Sequence, residues 1–334
     1  MEGSLMPTTA VHPEQILKEL ANLWVELGKE DAAKSSNGVI RACSMTLLIA
    51  TAGDEDAESA SETAAELMRQ HPGRAISLRF QPNATDVLDS RVYARCWMPY
   101  GQHQQLCSEQ IEISASMDRI PDVYSAVLGL SVPDLPVVLW VKTASLIFQR
   151  EFDPLLRMAR TVIIDSSQIK EPTVAVQRVQ ELISAGWRMK DLNWARLTVW
   201  REAVAQIFEQ DSWRELIPGI DEVTLSHRGS NIATDACYMA SWLASRLPAA
   251  KVKFVNAADT LNEGLQAVAI SAGVRQASIT ATDSERLTVE IDGMHHQMLM
   301  PPRTDEALLH EELSILGKDC SFEQSLANAL RYTQ

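Results

Sequence analysis

The stretch LPVVLWVK (135–142) is apolar almost throughout. A second stretch, TVIIDSS (161–167), has the same character up to Asp165. Strands without polar alternation are typical of a parallel sheet that helices cover on both faces. Helical periodicity over 153–159 and 172–186 accompanies these strands. This alternation of strand and helix predicts an α/β domain with a mostly parallel sheet flanked by helices.

The chain as a whole is predicted to form two α/β domains behind an N-terminal segment. That segment (1–37) holds a helix over 13–30, with Gly28 as its end, and a linker. The N-terminal α/β domain then covers 38–188, and a C-terminal α/β domain covers 189–334.

The C-terminal domain is predicted to contain a mixed sheet with helices. Strand patterns at 221–228 and 251–256 flank a helical pattern at 232–247. Two alternating segments around Asp283 and Ser284 predict a hairpin, and HHQMLMP follows as an edge strand. Closing helices are predicted over 304–316 and 321–333, with Thr304 and Ser321 as their caps.

The segment DLNWARLTVWREAVAQIF (191–208) poses a chemical question. As one amphipathic helix it would place Trp194 and Trp200 on an apolar arc, with Arg201 inside that arc and Arg196 at its edge. A guanidinium on an apolar stripe must be paired, stacked or presented to a partner. Tryptophan and arginine are also enriched at binding hot spots, so both a core and a docking face are open interpretations.

Composition limits the possible functions. The chain has 334 residues, 46% of them apolar, with a formal net charge of −14. An acidic surface disfavours general binding to nucleic acid or to anionic membranes, since both require a basic footprint. The sequence shows no secretory signal and no membrane span, which predicts a cytoplasmic protein.

Five cysteines occur without a CxxC pair. Their wide spacing and odd number favour reduced, mostly buried thiols, with a regulatory redox pair as the alternative.

Motifs for enzymatic chemistry are absent from the sequence. It contains no GxGxxG, GxxxxGK[ST] or GxSxG pattern, which predicts no nucleotide cofactor and no catalytic serine. His295 and His296 are adjacent on a predicted strand and point to opposite faces, while His103 and Cys107 have no further ligands nearby. We therefore predict no metal site, no cofactor and no catalytic residues.

Two weaker features remain open. The turn HRGSN (227–231) could hold an anion on helix-start amides, or be an ordinary turn with Ser230 or Asn231 as a cap. Asp165 ends a buried strand at the edge where α/β sheets place ligands, although aspartate is also a routine cap there.

Three motifs together point to a family. In order and spacing, DLPVVLWVK (134–142), TVIIDSS (161–167) and DLNWARLTVWRE (191–202) resemble the glucose-6-phosphate dehydrogenase assembly protein family, OpcA. The resemblance extends from about Val39 to the end of the chain. It implies a non-catalytic protein that binds glucose-6-phosphate dehydrogenase and promotes its active oligomer, in the oxidative pentose phosphate pathway.

Candidate site residues follow from these motifs. A partner interface or an interdomain core would be built from six side chains: Trp140, Asp165, Trp194, Arg196, Trp200 and Arg201. In the core interpretation, Arg201 pairs with Asp165 or another acid. The rival interpretation is an enzyme or sensor that binds a sugar phosphate at Asp165, Trp140 and the Arg196/Arg201 pair, since arginine suits phosphate. A scaffold for a different partner is the third alternative.

Overall fold

The computed structural model describes residues 11–33, 39–41, 43–97, 105–229, 231–257, 264–315 and 317–333. Their contacts divide the chain into two compact units. Unit 1 comprises Met1–Ile164 with Trp187–Met189, and unit 2 comprises Asp165–Gly186 with Lys190–Gln334. The chain thus passes between the units at three points, and the proposed domain limit near residue 188 stays a prediction.

Unit 1 is built on a mostly parallel sheet, as predicted. Within the described residues its strands follow the order β1-β5-β3-β2-β6-β7-β8, with β4 antiparallel to β5 at the edge. The last strand joins the sheet through the 187–189 segment of unit 1. The bounds are β1 (Val39–Arg41), β2 (Thr46–Ala52), β3 (Arg74–Gln81), β4 (Leu88–Trp97), β5 (Gln105–Ser116), β6 (Val137–Val141), β7 (Thr161–Ile164) and β8 (Met189–Asp191).

The two apolar stretches form buried strands at the centre of this sheet. Strand β6 pairs with β2 on one side and β7 on the other, all in parallel. Leu47, Leu48 and Ile49 of β2 are fully buried on alternating faces, because helices lie on both sides. The described helices of unit 1 are α1 (Pro13–Ala33), α2 (Asp54–Gln70), α3 (Ile120–Leu130) and α4 (Asp153–Met158).

Two helix boundaries differ from the predictions. Helix α1 continues past Gly28 to Ala33, because one glycine in a helix costs only about 1 kcal/mol and does not by itself end it. Helix α2 begins at Asp54, within the acidic stretch DEDAE (54–58), whose composition predicts a loop. Its first turn carries Asp54, Glu55 and Asp56, and carboxylates at that end interact favourably with the helix dipole.

Unit 2 contains the predicted mixed sheet. Its described strands follow the order β10-β9-β11-β12-β13-β14, with β9 and β10 parallel and the other pairs antiparallel. The predicted hairpin (β12–β13) and edge strand (β14) are confirmed. The bounds are β9 (Glu222–Arg228), β10 (Lys251–Asn256), β11 (Gly264–Ala272), β12 (Arg275–Ala281), β13 (Arg286–Ile291) and β14 (Met294–Leu299).

The helices of unit 2 correct two further predictions. The segment 191–208 forms two helices, since Leu197 donates to the carbonyl of Trp194 in a tighter turn that separates them. The last helix is capped by Asp319, which accepts from the Phe322 amide, and Ser321 lies inside the helix. The bounds are α5 (Pro172–Ser184), α6 (Leu192–Ala195), α7 (Thr198–Ile207), α8 (Asp211–Arg214), α9 (Thr234–Arg246), α10 (Asp305–Ser314) and α11 (Cys320–Ala329). Thr304 caps α10 as predicted.

The expectation of five reduced thiols is wrong for one pair. Cys96 of β4 and Cys107 of β5 lie opposite each other and form a disulfide. Antiparallel register brings the two residues together, which their spacing in the sequence did not show. Cys43, Cys237 and Cys320 are free thiols. No helix in the described ranges is both long and apolar enough to cross a bilayer.

Candidate functional site

Asp165 and Arg196 form a bidentate ion pair in unit 2. Asp165 follows strand β7, and its carboxylate accepts the Ser167 amide at 3.1 Å. The Arg196 fork donates to both carboxylate oxygens, from Nη1 at 2.8 Å and from Nη2 at 2.6 Å. Burial opposes the charged form, but the bonds from Arg196 and Ser167 outweigh it and hold the pKa of Asp165 below its ordinary value. Asp165 is therefore both a cap and an ion-pair partner.

Asp191 joins two of the motifs from a fully buried position. Its Oδ1 accepts the amides of Ser166 and Asn193, each at 3.0 Å, and its Oδ2 accepts the hydroxyl of Tyr238 at 2.9 Å. Asn193 also donates from its side chain to the Ser166 hydroxyl. Burial raises the pKa of Asp191 to about 6, with the charge of nearby Asp165 adding to the effect. We call Asp165, Ser166, Asp191, Asn193, Arg196 and Tyr238 the polar cluster.

The two tryptophans of segment 191–208 are core residues of unit 2. Trp194 and Trp200 are 1% and 2% exposed. The Trp194 indole donates to Asp319 at 2.8 Å, and its ring lies 6.3 Å from Tyr238 and 5.8 Å from Phe322 between centroids. Trp194 thus connects the third motif to α9 and to the start of α11.

Arg201 is stacked and hydrogen-bonded, and it does not pair with Asp165 as the core interpretation predicted. Its guanidinium lies 3.8 Å from the Trp194 ring centroid. One Nη donates to the Trp194 carbonyl and the other to the Thr198 hydroxyl, each at 2.9 Å. Asp165 is instead paired with Arg196, which directly follows α6 on the turn between the two helices. Arg201 remains half-buried, with one side toward solvent.

A second buried ion pair involves Lys190, the residue directly before Asp191 of the polar cluster. The Lys190 ammonium is 3.2 Å from the Glu312 carboxylate and also donates to the carbonyls of Glu312 and Ile315. Burial raises the pKa of Glu312 to about 7. The pair ties the residue before Asp191 to the end of α10.

Trp140 lies in a different unit from the other five predicted site residues. It lies on β6 in unit 1, where it is 1% exposed. The Lys142 ammonium lies 5.6 Å from its ring centroid. Among the described residues, its indole Nε1 has no hydrogen-bond partner.

The predicted sugar-phosphate site at Asp165, Trp140 and the Arg196/Arg201 pair stays a prediction. Both terminal nitrogens of Arg196 already donate to Asp165, and both of Arg201 donate within the 194–201 turn. Each guanidinium thus directs at least two of its five N–H groups to acceptors inside unit 2. In the polar cluster, side-chain donors form hydrogen bonds with acceptors inside the fold, as is typical of buried polar residues with a structural role.

The sequence missed Asp191, Tyr238 and Asp319. Asp191 was visible only as the first residue of an amphipathic helix, where aspartate is a common cap. Its link to Tyr238 spans 47 positions, and the bond from Trp194 to Asp319 spans 125. No local pattern reports such distances along the chain. A buried tyrosine or tryptophan does require a hydrogen-bond partner, which was the available signal.

The remaining polar features are the histidines and the turn HRGSN. Across the part of the chain that the structure describes, no group of three or more His, Cys, Asp or Glu side chains could hold a metal ion. His103 lies outside the described residues. The helix after HRGSN begins later than predicted, with Ala233 at its cap position. The Asp235 carboxylate accepts the Ala236 amide there. Ser230 of this turn lies outside the described residues, so the anion interpretation stays a prediction.

The fold and the polar cluster define an α/β protein with two sheets, in which residues of the third motif and Asp165 of the second form bonds inside unit 2. Comparison with known sequences identifies its family. The chain belongs to the OpcA family: two family profiles match it, described as glucose-6-phosphate dehydrogenase subunit N-terminal domain over 64–181 and C-terminal domain over 188–326.

Curated cyanobacterial proteins are similar to part of the chain. An OpcA protein of Nostoc punctiforme is 30% identical over 183 residues, which are 54% of this chain and 39% of that protein. The Synechocystis OpcA is 28% identical over 180 residues, 53% of this chain and 37% of that protein. Both are named as proteins of the OxPP cycle, and the match spans less than half of each.

Solved structures resemble the chain only in outline. Synechocystis biliverdin reductase has a TM-score of 0.44 at 10% identity, covering 86% of this chain and 96% of that one. An aldose–aldose oxidoreductase from Caulobacter crescentus has a TM-score of 0.46 at 10% identity, covering 86% and 95%. Scores at this level carry no functional argument.

Proposed function

We propose that this chain is a non-catalytic cytoplasmic assembly factor that binds glucose-6-phosphate dehydrogenase and favours its active oligomer, in the oxidative pentose phosphate pathway. The observation that carries the proposal is family membership across both halves of the chain, since each matching profile is described as a subunit of that dehydrogenase. The names of the cyanobacterial relatives support the same pathway.

The internal geometry is consistent with a binding role. Asp165 of the second motif and Asp191, Trp194 and Arg196 of the third are engaged in the polar cluster and the aromatic core of unit 2. A residue set of this kind holds a surface in a fixed shape, and preorganised surfaces lose less entropy on binding.

Activation requires differential affinity. A factor shifts its partner toward an active oligomer only if it binds that state more tightly than the others. A coupling of about 1–3 kcal/mol would change dehydrogenase activity or substrate affinity roughly 5- to 150-fold.

We place the contact around the solvent side of segment 191–208. Trp194 and Trp200 are buried and would reach a partner only if unit 2 opened. The half-buried Arg196 and Arg201 lie above them, and their positions are set by Asp165 and by the Trp194 ring. In this proposal the tryptophans position the arginines, and the arginines contact the dehydrogenase.

The test is dehydrogenase activity with increasing amounts of this chain, across glucose 6-phosphate concentrations, using the dehydrogenase of the same source. We expect a saturable rise in activity together with a larger dehydrogenase assembly in light scattering. The separate changes in KM and kcat then show whether substrate binding or turnover is improved. Unchanged activity and the absence of a complex would contradict the proposal.

Arg201→Ala tests the contact, with Arg214→Ala as its control. Arg214 is an exposed arginine of unit 2 in a surface pair with Asp211. We expect R201A to lose most of the activation while remaining folded, and R214A to activate normally. Full activation by R201A, with only a lowered melting temperature, would show that Arg201 is structural and that the dehydrogenase binds elsewhere.

A further inference from the structure

A groove of about 220 Å³ opens on one face of the unit 1 sheet, beside α2. Small side chains from β2, β3 and α2 leave the space, among them the buried Thr51 and Ala60. Besides Thr51, its polar lining consists of Glu58, Ser61, Ser77, Arg79, Arg91, Tyr93 and Glu112. None of these residues belongs to the polar cluster of unit 2.

Strand register places the polar groups together. Ser77 of β3, Glu112 of β5 and Arg91 of β4 lie side by side in one row across three neighbouring strands. Arg79 and Tyr93 lie two residues along their strands and therefore face the same side. The groove is thus assembled from residues that are remote in the sequence.

The two arginines of the groove differ in the ion pairs and hydrogen bonds that they form. Arg79 donates from Nε to Asp54 at 3.1 Å, and its Nη1 lies 3.9 Å from Glu112. Arg91 is exposed and forms no ion pair with any residue that the structure describes. The groove therefore holds one arginine fixed by acids and one arginine that has no ion pair within the described part of the chain.

The mixture of charges selects a ligand class. A guanidinium fork fits phosphate oxygens, whereas ionised carboxylates only accept hydrogen bonds and so fit hydroxyl groups. A bare phosphate would face Glu58 and Glu112, and an uncharged sugar would leave Arg91 without a partner. A molecule with one phosphate and several hydroxyls satisfies both sets. Tyr93 supplies an aromatic ring and a hydroxyl beside them.

The size and surroundings disfavour a dinucleotide. The volume holds about seven waters at about 30 Å³ each, which corresponds to a single sugar unit. At the carboxyl edge of β2, where parallel sheets place pyrophosphate, the first turn of α2 carries three carboxylates. One of them, Asp56, accepts the hydroxyl of Thr143.

We propose that this groove is a binding site for a small phosphorylated polyol of monosaccharide size, with the phosphate on Arg91 and the hydroxyls on Glu58, Glu112 and the serines. The site goes beyond the proposed assembly role. Its test uses this chain alone, so failure of ligand binding and failure of dehydrogenase activation are separate results.

The probe is glucose 6-phosphate, titrated into the full chain and followed by amide NMR shifts and by calorimetry. We expect saturable shifts at the amides of Ser61, Ser77 and Tyr93. Glucose, which lacks the phosphate, and inorganic phosphate, which lacks the sugar hydroxyls, should each bind at least about tenfold more weakly than glucose 6-phosphate. No saturable change, or tighter binding of NADP⁺ than of glucose 6-phosphate, would overturn the proposal.

Variants locate the site. Arg91→Gln should weaken glucose 6-phosphate binding at least about tenfold, because it removes the guanidinium. Arg69→Gln makes the same change at an exposed arginine of α2 paired with Glu66, and should bind normally. Ser61→Leu fills the groove while keeping every charge, and should also abolish binding. Unchanged affinity in R91Q, or equal losses in R91Q and R69Q, would show that the ligand binds elsewhere or by net charge alone.

Discussion

The polar cluster of unit 2 and the groove of unit 1 contain the same kinds of residues with opposite outcomes. Each has at least one arginine, two carboxylates, at least one serine hydroxyl and a tyrosine. In the cluster, Arg196 meets Asp165 at 2.6 Å and Tyr238 meets Asp191 at 2.9 Å, in buried surroundings. In the groove, Arg91 is exposed and has no ion pair among the described residues. Residue type therefore does not separate a structural junction from a ligand site, whereas the state of its hydrogen bonds does.

The largest effect should come from the aromatic core under the cluster. Trp194→Ala removes a buried ring and leaves Asp319 without the indole donor, so we expect a loss of about 3–5 kcal/mol in unfolding free energy. Phe148→Ala, at a side chain 40% exposed in unit 1, should cost far less. Urea unfolding measures both. A loss below about 1 kcal/mol for W194A would mean that this region is not core.

The pH dependence of stability should report Asp191. Burial raises its pKa to about 6 in the folded chain, above the ordinary 3.8. The folded state therefore holds this proton more tightly than the unfolded state, and the contribution to stability is full at low pH and is lost as the pH rises toward 6. The total change is of the order of 3 kcal/mol.

Asp191→Asn isolates that contribution. The amide oxygen can still accept from Ser166 and Asn193, while the NH₂ group faces Tyr238. We expect the stability of wild type relative to D191N to fall between pH 4 and pH 6 and then to level off. Glu312, whose pKa is raised to about 7, titrates in both proteins and cancels in the comparison. Parallel stability curves for the two proteins would contradict the assignment.

One identical substitution in both regions tests the comparison directly. Arg196→Gln leaves the buried Asp165 without its ion-pair partner, and we expect a loss of about 2–3 kcal/mol. Arg91→Gln removes a side chain without an ion pair in the described chain and should change stability by less than about 0.5 kcal/mol. Denaturant unfolding of both variants provides the measurement. Equal losses would show that the groove is as structural as the cluster.

The smallest effect is expected from removing single hydroxyls. Tyr238→Phe takes a donor from the buried Asp191 and should cost about 1–2 kcal/mol. Tyr93→Phe should leave stability within about 0.5 kcal/mol, because its ring and the Arg95 contact remain. Thermal unfolding measures the difference between the two. The comparison fails if Y93F destabilises the chain as much as Y238F.

Secondary structure followed from the sequence wherever the signal was local. The apolar runs at 135–142 and 161–167 predicted buried parallel strands, and the alternation around Asp283 predicted the hairpin. The break within 191–208 was missed, because the tight turn at Leu197 depends on the packing of Trp194 and on the Arg196 ion pair. Helical periodicity continues across such a turn and does not report it.

The candidate site was predicted in part. The three motifs named Asp165, Trp194, Arg196, Trp200 and Arg201, and all five lie in unit 2. The sequence could not assign the ion-pair partner of Asp165, since Arg196 and Arg201 are equally plausible partners in a regular helix. It also gave no sign of the groove, whose arginine, tyrosine and carboxylates come from three separate strands and a helix.

The sequence by itself determined the α/β class, the two sheets and the family, because these depend on hydrophobic periodicity and on short motifs that survive as local patterns. Only the tertiary structure decided which charged groups are satisfied. Bonds such as Tyr238 to Asp191 and the pairing of Cys96 with Cys107 require residues that folding brings together from separate strands and helices. The ion pair of Arg196, and the lack of an ion pair at Arg91 among the described residues, are therefore properties of packing and register.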